Sequence, residues 1–262
     1  MNKFKLNIIS EDLLQNYKEH INNSTIEKFK RLEDSPLSIS SFSFYSSVSA
    51  VYSSKIEGED IELDSYVKHK RFGIEFKPDY TRKIDDLYSA YEFAQSNTLN
   101  AENINFALQL LTKNILPESK QGKIRTTNMH VTTPDGKIEY VAASPFVVAP
   151  ELDKLFKDIG GLLQDDLSFE EVFFFAAMIH LIFVKIHPFD DGNGRTARLL
   201  EKWFIAEKLG KSSWYIESEK QYYQNHSLYY QHIRRLGLEY ELLDYSKALP
   251  FLLMLPESLH IE

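Results

Sequence analysis

Residues 187–198 read His-Pro-Phe-Asp-Asp-Gly-Asn-Gly-Arg-Thr-Ala-Arg, and this stretch decides the fold that we expect. On its N-terminal side, a strongly apolar helical pattern ends at His187, because Pro188 disfavours helical geometry in the residue before it. On its C-terminal side, a second helical pattern begins near Gly194 and stops at Gly210, a candidate helix C-cap. The stretch therefore predicts a loop between two helices, located at the N-terminus of the second helix.

Such a position suits an anion. A helix N-terminus offers unpaired backbone N–H groups and the positive end of the helix dipole. Gly192 and Gly194, on either side of Asn193, let the backbone come close to a phosphate. Arg195 and Arg198 are three residues apart and therefore share one face of the helix. The pattern predicts a site for the phosphate chain of a nucleotide.

Two further side chains add chemistry at this loop. Asp191 precedes the turn and is placed to hold a Mg²⁺, which prefers one or two carboxylates plus substrate phosphates. Histidine side chains ordinarily titrate near neutral pH, so His187 is a candidate general base for an attacking hydroxyl. A calcium-binding EF-hand loop is excluded: counted from Asp190, Arg195 falls where glycine is required, and counted from Asp191, Lys202 takes the last ligand position. No Walker A sequence occurs in the chain.

The composition is that of an acidic globular protein. The chain has 262 residues, 43% hydrophobic and 26% charged, with a net charge of −8. This charge argues against nucleic-acid binding, since neutralising phosphates requires clustered Lys and Arg. The sequence contains no cysteine, which excludes disulfides and Cys-based zinc sites within it. Its most apolar stretch, residues 172–186, is shorter than the roughly 20 residues of a membrane span. The N-terminal residues lack the apolar segment of a secretory signal peptide. We expect a cytoplasmic protein without a membrane-spanning helix, monomeric or weakly dimeric.

Apolar residues recur mostly at helical spacing. The pattern predicts helices over 10–33, 40–57, 82–96, 101–114, 150–164, 169–186, 194–209, 219–236 and 239–254. Ser168 and Glu171 form a candidate capping box. Residues 126–142 differ, because β-branched residues flank Pro134-Asp135-Gly136, a turn signal between two short strands. We expect a mainly α protein in which this hairpin is a flap rather than the core of a sheet.

The 187–198 stretch resembles the signature of the Fic-domain family, His-x-Phe-x-(Asp/Glu)-Gly-Asn-Gly-Arg-x-x-Arg, and meets every specified position. Proteins of that family are largely helical with a β-hairpin flap, and most transfer AMP from ATP to a hydroxyl side chain of a target protein. The resemblance implies a Fic-like helical bundle and a protein adenylyltransferase that uses ATP and Mg²⁺. The phosphotransferase branch that resembles the Doc toxin has Lys where this chain has Gly194, a difference that favours nucleotidyl transfer.

The resemblance also implies roles for individual residues. His187 corresponds to the general base, Asp191 to the Mg²⁺ ligand and Phe189 to a residue that fixes the loop in the core. The implied phosphate contacts are Gly192, Asn193, Gly194, Arg195 and Arg198. The segment with Asn225, Tyr229 and Tyr230 resembles the lining of the adenine pocket, whereas the spacing of the two tyrosines alone is more typical of a core. His180 also has a counterpart in relatives, and we interpret it as a buried core histidine.

An inhibitory segment is implied as well. Residues 52–58 read Tyr-Ser-Ser-Lys-Ile-Glu-Gly, in which Ser53 and Glu57 share a helix face and Gly58 is a candidate helix stop. Taken alone, this is an ordinary helix end with a solvated Glu57. It also matches the family's inhibitory motif, (Ser/Thr)-x-x-x-Glu-(Gly/Asn), in the subclass that carries it N-terminally. The resemblance then implies that Glu57 pairs with Arg198 and inhibits the enzyme.

We divide the chain into an N-terminal helical region (1–98) that carries the inhibitory helix (about 40–58), a Fic core (99–238) and a C-terminal closing helix (239–262). Gly122 to Arg125 and the hairpin match the position of the family's flap, where a target protein would pair an extended strand by β-augmentation. Relatives often show Tyr-x-Pro-Pro after the hairpin, whereas this chain has Tyr140-Val-Ala-Ala-Ser-Pro.

Three functions stay open at this point. The first is AMP transfer inhibited by Glu57. The second is removal of AMP from a modified target, or both directions in one protein. The third is a non-catalytic nucleotide-binding regulator, against which His187 argues, because nucleotide binding does not need a general base.

Overall fold

The computed structural model describes residues 4–132, 136 and 138–259, apart from the side chains at 78 and 79. Within these residues the helices are α1 (Leu14–His20), α2 (Asn23–Lys30), α3 (Phe44–Ile56), α4 (Leu63–Phe72), α5 (Pro78–Ser96), α6 (Ala101–Thr112), α7 (Pro145–Gln164), α8 (Phe169–Ile186), α9 (Asn193–Leu209), α10 (Ser218–Gln224), α11 (His226–Arg234) and α12 (Leu249–Glu257). The strands β1 (His130–Thr132) and β2 (Ile138–Val141) form an antiparallel hairpin. The prediction of a mainly helical fold with one hairpin is confirmed. The predicted turn at Pro134-Asp135 lies outside the described residues. None of the described helices combines the length and apolarity needed to cross a membrane.

Helix α8 forms the centre of the bundle. Every residue from Glu171 to Ile186 is buried, because apolar side chains cover nearly the whole circumference of the helix. The predicted capping box is present: Ser168 Oγ accepts from the Glu171 N–H, and the Glu171 carboxylate accepts from the Ser168 N–H at 2.9 Å. Helix α8 packs most extensively against α9, so the loop that joins them is held between two core helices.

In the structure, each of two long predicted helices is divided into two shorter helices. The helix predicted over 10–33 is interrupted before α2, because the Asn22 side chain accepts a hydrogen bond from the Thr25 N–H and caps a new helix. The helix predicted over 219–236 is interrupted at Asn225, which separates α10 from α11. Short polar side chains that bond to nearby backbone favour such breaks.

Other boundaries also differ from the prediction. The helix predicted over 239–254 is wrong in its first half, where two 3₁₀ turns precede α12. Helix α7 begins at Pro145 rather than at 150, because a proline in the first helical turn needs no N–H partner. The pattern does not predict α4, whose single buried residue, Tyr66, leaves no apolar periodicity to detect.

Helix α3 packs against α9 through polar residues spaced one turn apart. Ser49 Oγ accepts from Lys202 Nζ at 2.6 Å, and Ser53 Oγ accepts from Arg198 Nε at 2.8 Å. The residue numbers rise along α3 while they fall along α9, so the two helices are antiparallel where they meet. This pairing brings the C-terminal end of α3, and with it Glu57, to the N-terminal turn of α9.

Candidate active site

The loop between α8 and α9 is fixed by its own backbone and one amide side chain. His187 ends α8 in the left-handed conformation (φ 52°, ψ 61°), and no other non-glycine residue that the structure describes has positive φ. Asn193 Nδ2 donates to the Phe189 carbonyl at 2.8 Å, and the Phe189 N–H donates to Asn193 Oδ1 at 2.9 Å. Because both polar atoms of its side chain are bonded within the loop, Asn193 offers an anion its backbone N–H.

A buried arginine supports the same loop from the flap side. The Arg125 N–H donates to the Pro188 carbonyl at 3.0 Å, and only 2% of Arg125 is exposed. Its guanidinium donates to four backbone carbonyls, those of Thr127, Ala143, Ile186 and His187. Sequence reasoning placed Arg125 near the flap but gave it no role. A single arginine that binds carbonyls distant in sequence leaves no periodic signal.

The protonation state of His187 follows from the proline beside it. Pro188 has no N–H, so the Val184 carbonyl lacks the donor that a helix normally supplies four residues on. His187 Nδ1 lies 3.3 Å from this carbonyl and 3.2 Å from Tyr140 Oη. Since a carbonyl only accepts, we assign the proton to Nδ1, which leaves Nε2 free to act as a base. Burial lowers the pKa of His187 to about 4, against the opposing effect of the Val184 carbonyl, so the imidazole is neutral near pH 7.

Arg198 is fully buried against the C-terminal end of α3. Its Nη2 donates to the Glu57 carboxylate at 2.6 Å and to the Ser53 carbonyl at 3.0 Å. Burial by itself would raise the pKa of Glu57, but the Arg198 charge, helped by Arg195, holds it below its usual range. Burial by itself would lower the pKa of Arg198, but the Glu57 carboxylate keeps it raised. The pair is therefore fully charged at neutral pH.

The Glu57 carboxylate also lies on the first turn of α9. A Cβ atom placed on Gly194 would collide with Glu57 Oε1 and would lie 3.1 Å from Arg198 Nη1. Glycine at this position thus permits the close approach of the carboxylate. Gly58 has a φ of +92° and follows Glu57, the C-cap of α3, so it is the helix stop that the sequence predicts. The carboxylate thus lies beside the first turn of α9, the end of the helix where an anion is expected.

Asp191 and Arg195 form an ion pair at the mouth of this turn. Asp191 Oδ1 accepts from the Gly192 N–H at 2.5 Å and from Arg195 Nη2 at 2.8 Å. The Asp191 side chain is 47% exposed, whereas that of Arg195 is 5% exposed. Among the described residues no group of three His, Asp or Glu side chains could hold a metal. A single exposed carboxylate fits a Mg²⁺ that takes its other ligands from phosphates and water.

Residues 98–205, which include the loop and most of α9, match the model of the Fic/DOC family. Over this segment the chain is similar to Fic domains. A stretch of 80 residues is 40% identical to the protein adenylyltransferase fic-1 of Caenorhabditis elegans, and the match covers 30% of this chain but only 14% of that protein.

The fold agrees with solved Fic structures. A Fic family protein from Desulfovibrio desulfuricans superposes with a TM-score of 0.75 at 16% identity, over 98% of this chain and 74% of that one. A Fic domain containing signaling protein from Bacteroides thetaiotaomicron gives a TM-score of 0.64 at 19% identity, over 95% and 91%. At such identities these likenesses establish the fold. The domain boundaries at 98/99 and 238/239 stay a prediction.

Behind Arg198, a buried hydrogen-bond network continues into the core of the helical bundle. Arg198 Nη1 lies 3.4 Å from Tyr229 Oη, and His180 Nε2 lies 2.9 Å from the same oxygen. The other ring nitrogen of His180 lies 2.8 Å from Glu201 Oε2, which also accepts from Tyr222 Oη at 2.8 Å. His180 is thus a core residue with both ring nitrogens bonded, and the ion pair at the site rests on a fully buried polar layer.

Helix α11 brings the predicted adenine-pocket residues to the end of α3. Tyr229 is buried, and the half-buried Tyr230 packs edge-on against it with ring centroids 5.2 Å apart. Asn225 lies at the junction of α10 and α11, where its Nδ2 donates to the Gln221 carbonyl at 3.1 Å. His226, the next residue, lies 3.3 Å from the Ile56 carbonyl, so this junction is adjacent to Glu57.

Proposed function

We propose that this Fic domain transfers AMP from ATP to a hydroxyl side chain of a target protein, and that Glu57 inhibits the transfer. One observation carries the proposal: the chain's own Glu57 carboxylate lies against Gly194 in the first turn of α9 and accepts a hydrogen bond from the buried Arg198. A carboxylate held there marks the position as an anion site. The base His187 and the exposed carboxylate of Asp191 lie on the loop that leads into this site.

The reaction needs one bond to form as another breaks. The target hydroxyl oxygen attacks the α-phosphorus of ATP, its proton passes to His187 Nε2, and the bond from the α-phosphorus to pyrophosphate breaks. The first turn of α9, with Arg195 and Arg198, holds the phosphate chain. A Mg²⁺ held by Asp191 and phosphate oxygens would neutralise charge on the leaving pyrophosphate. We assign the adenine to the segment that carries Asn225, Tyr229 and Tyr230, in which Asn225 and Tyr230 are partly exposed and Tyr229 is buried.

Inhibition follows from competition between two anions. While Glu57 pairs with Arg198, the γ-phosphate meets a negative charge where it needs a cation. ATP that binds beside Glu57 has its phosphate tail displaced, and the α-phosphorus is then out of line with the attacking oxygen. Since phosphate chemistry depends mainly on positioning and charge stabilisation, a small displacement is enough to suppress the reaction.

The partner we propose is a target protein that adds an extended strand to the hairpin within residues 126–142, where it presents its hydroxyl to His187. The short strands β1 and β2 supply backbone groups for such pairing. We further propose that the protein acts in the cytoplasm as a monomer or weak homodimer. The absence of cysteine suits a reducing compartment.

Incubation with α-labelled ATP and cell lysate tests the function. We expect weak labelling of target protein by the wild type, strong labelling by Glu57→Gly, and none by His187→Ala or by the double variant. Glu59→Gly is the matched control, because Glu59 forms an ion pair with Lys83 outside the site. Equal labelling by wild type and Glu57→Gly would remove the inhibitory role of Glu57.

The same assay separates the other two functions. Loss of label from a premodified target would indicate that AMP is removed, with Glu57 as a second catalytic residue. ATP binding without labelling in either direction would indicate a nucleotide-binding regulator. Mass spectrometry of the labelled product identifies both the acceptor residue and the nucleotide.

A further inference from the structure

Tyr140 connects the flap to the candidate base. It lies on β2, its ring is 3% exposed, and its Oη is 3.2 Å from His187 Nδ1. The two ring centroids are 6.0 Å apart at an angle of 68°. The imidazole therefore has one hydrogen-bond partner in its own helix, the Val184 carbonyl, and a second partner in the hairpin.

We propose that Tyr140 is a positioning residue for His187: its hydroxyl shares the Nδ1–H with the Val184 carbonyl and so fixes the plane of the imidazole. This inference rests on the proposed function, because it concerns the base of that reaction. The torsion that rotates a histidine ring is broad, so a single long hydrogen bond sets the ring plane poorly. Two acceptors on separate elements restrict it, and Nε2 then points in one direction.

The Tyr140 ring is itself in contact with a buried lysine. Lys185 Nζ lies 4.5 Å from the centroid of the Tyr140 ring, a cation–π geometry, and it also donates to the Gly237 carbonyl at 3.2 Å. Lys185 is completely buried, so its amine has little freedom to leave the ring.

The strand that carries Tyr140 is also hydrogen-bonded to the end of α11 and to the segment after it. The Val141 N–H donates to the Leu238 carbonyl at 2.8 Å, and Arg234 forms two hydrogen bonds with the Glu139 carboxylate at 2.6 and 2.7 Å. A shift of β2, such as a docking strand would cause, therefore moves Tyr140 and with it the imidazole. The base becomes sensitive to what the hairpin binds.

The hydroxyl can be removed without disturbing the other groups around the base. The charged groups near the imidazole are Arg125, Glu57 and Asp191, and each belongs to an element other than β2. Tyr140→Phe keeps the ring under Lys185 and deletes only the oxygen. Tyr240→Phe is the matched control, since it deletes a phenol that donates to Glu151 at 2.8 Å, outside the site.

Two measurements test the proposal. In the Glu57→Gly background, Tyr140→Phe should lower kcat about two- to tenfold, the effect of one hydrogen bond, with KM for ATP and the melting temperature matching the Tyr240→Phe control. Independently of activity, the Nδ1-bound proton of His187, identified by NMR from its loss in His187→Ala, should exchange with water faster by a similar factor in Tyr140→Phe.

The outcomes distinguish this inference from the proposed function. Proton exchange that is the same in Tyr140→Phe and wild type would overturn the positioning role, as would an unchanged kcat in an active enzyme. If Glu57→Gly transfers no AMP to any target, the proposed function fails. The exchange rate of the His187 proton then still decides whether Tyr140 holds the imidazole.

Discussion

Replacing Glu57 should destabilise the protein while it activates it, and ATP should restore the stability. In the structure Glu57 is the carboxylate partner of a guanidinium that is completely buried. Glu57→Gln keeps the side-chain volume and removes the charge, so Arg198 retains its bonds to Ser53 and its contact with Tyr229 but loses its counter-ion. Glu57, the proposed inhibitory residue, is on this reasoning also a structural one.

The size of the effect follows from the burial of the pair. Breaking a fully buried ion pair costs about 3–5 kcal/mol. The Glu57 side chain is 27% exposed and Arg198 keeps three hydrogen bonds, two to Ser53 and one to Tyr229, so we expect a loss of roughly 1–3 kcal/mol. For a chain of this size, each kcal/mol corresponds to a fall in Tm of about 2–4 °C. Bound ATP supplies the missing negative charge and stabilises by about 2.7 kcal/mol at a hundred times its Kd.

Thermal unfolding with increasing Mg-ATP measures both halves of this prediction. We expect Glu57→Gln and Glu57→Gly to melt below wild type without nucleotide and to gain more stability from ATP than wild type does. Glu59→Gly is the control, since its ion pair with Lys83 is partly exposed and such pairs contribute about 0–1 kcal/mol. The reasoning is refuted if the Glu57 variants are as stable as this control, or if ATP raises the Tm of all four proteins equally.

Three further predictions concern stability and binding. The stability advantage of wild type over Glu57→Gln should shrink as pH falls below about 4, because a carboxyl whose pKa is lowered on folding stabilises fully only above its unfolded pKa. Urea titrations from pH 7 to 3 would show this loss. Burial lowers the pKa of Lys185 to about 7, so between pH 10 and pH 7 the folded state binds fewer protons than the unfolded state. As the pH falls through that window, the free energy of unfolding of wild type should decrease by roughly 3–5 kcal/mol relative to Lys185→Met. Urea unfolding at pH 7 and 9.5 should reveal a clear part of that decrease, and equal free energies at the two pH values would contradict it. Gly194→Ala should weaken ATP binding even when Glu57 is also replaced by Gly, because its Cβ projects into the space at the start of α9; calorimetry that finds undiminished affinity would show that phosphate does not approach this turn.

Features that depend on neighbouring residues were predictable from the sequence. The capping box at Ser168, the end of α8 before Pro188 and the helix stop at Gly58 each follow from a few adjacent residues, and each is present. The pairing of Glu57 with Arg198 is long-range, and only the family resemblance indicated it. The hydrogen bond is present in the structure, whereas the inhibitory role stays a proposal.

Features that depend on contacts between residues distant in the chain could not be predicted from the sequence. Arg125 binds carbonyls up to 62 positions away, and Tyr140 reaches His187 across 47 positions. Neither contact has a spacing that a periodic pattern can reveal. The breaks at Asn22 and Asn225 were missed for a different reason, since the apolar spacing continues through both and only a local polar side chain marks the interruption.

The proposed inhibition depends on the register of the antiparallel contact between α3 and α9. Ser53 faces Arg198, and Glu57, one helical turn later, faces Gly194. One residue inserted between Ser53 and Glu57 would rotate the carboxylate by about 100° around the axis of α3, away from its partner. The spacing of four residues, as much as the glutamate itself, therefore determines whether the two helices close the site.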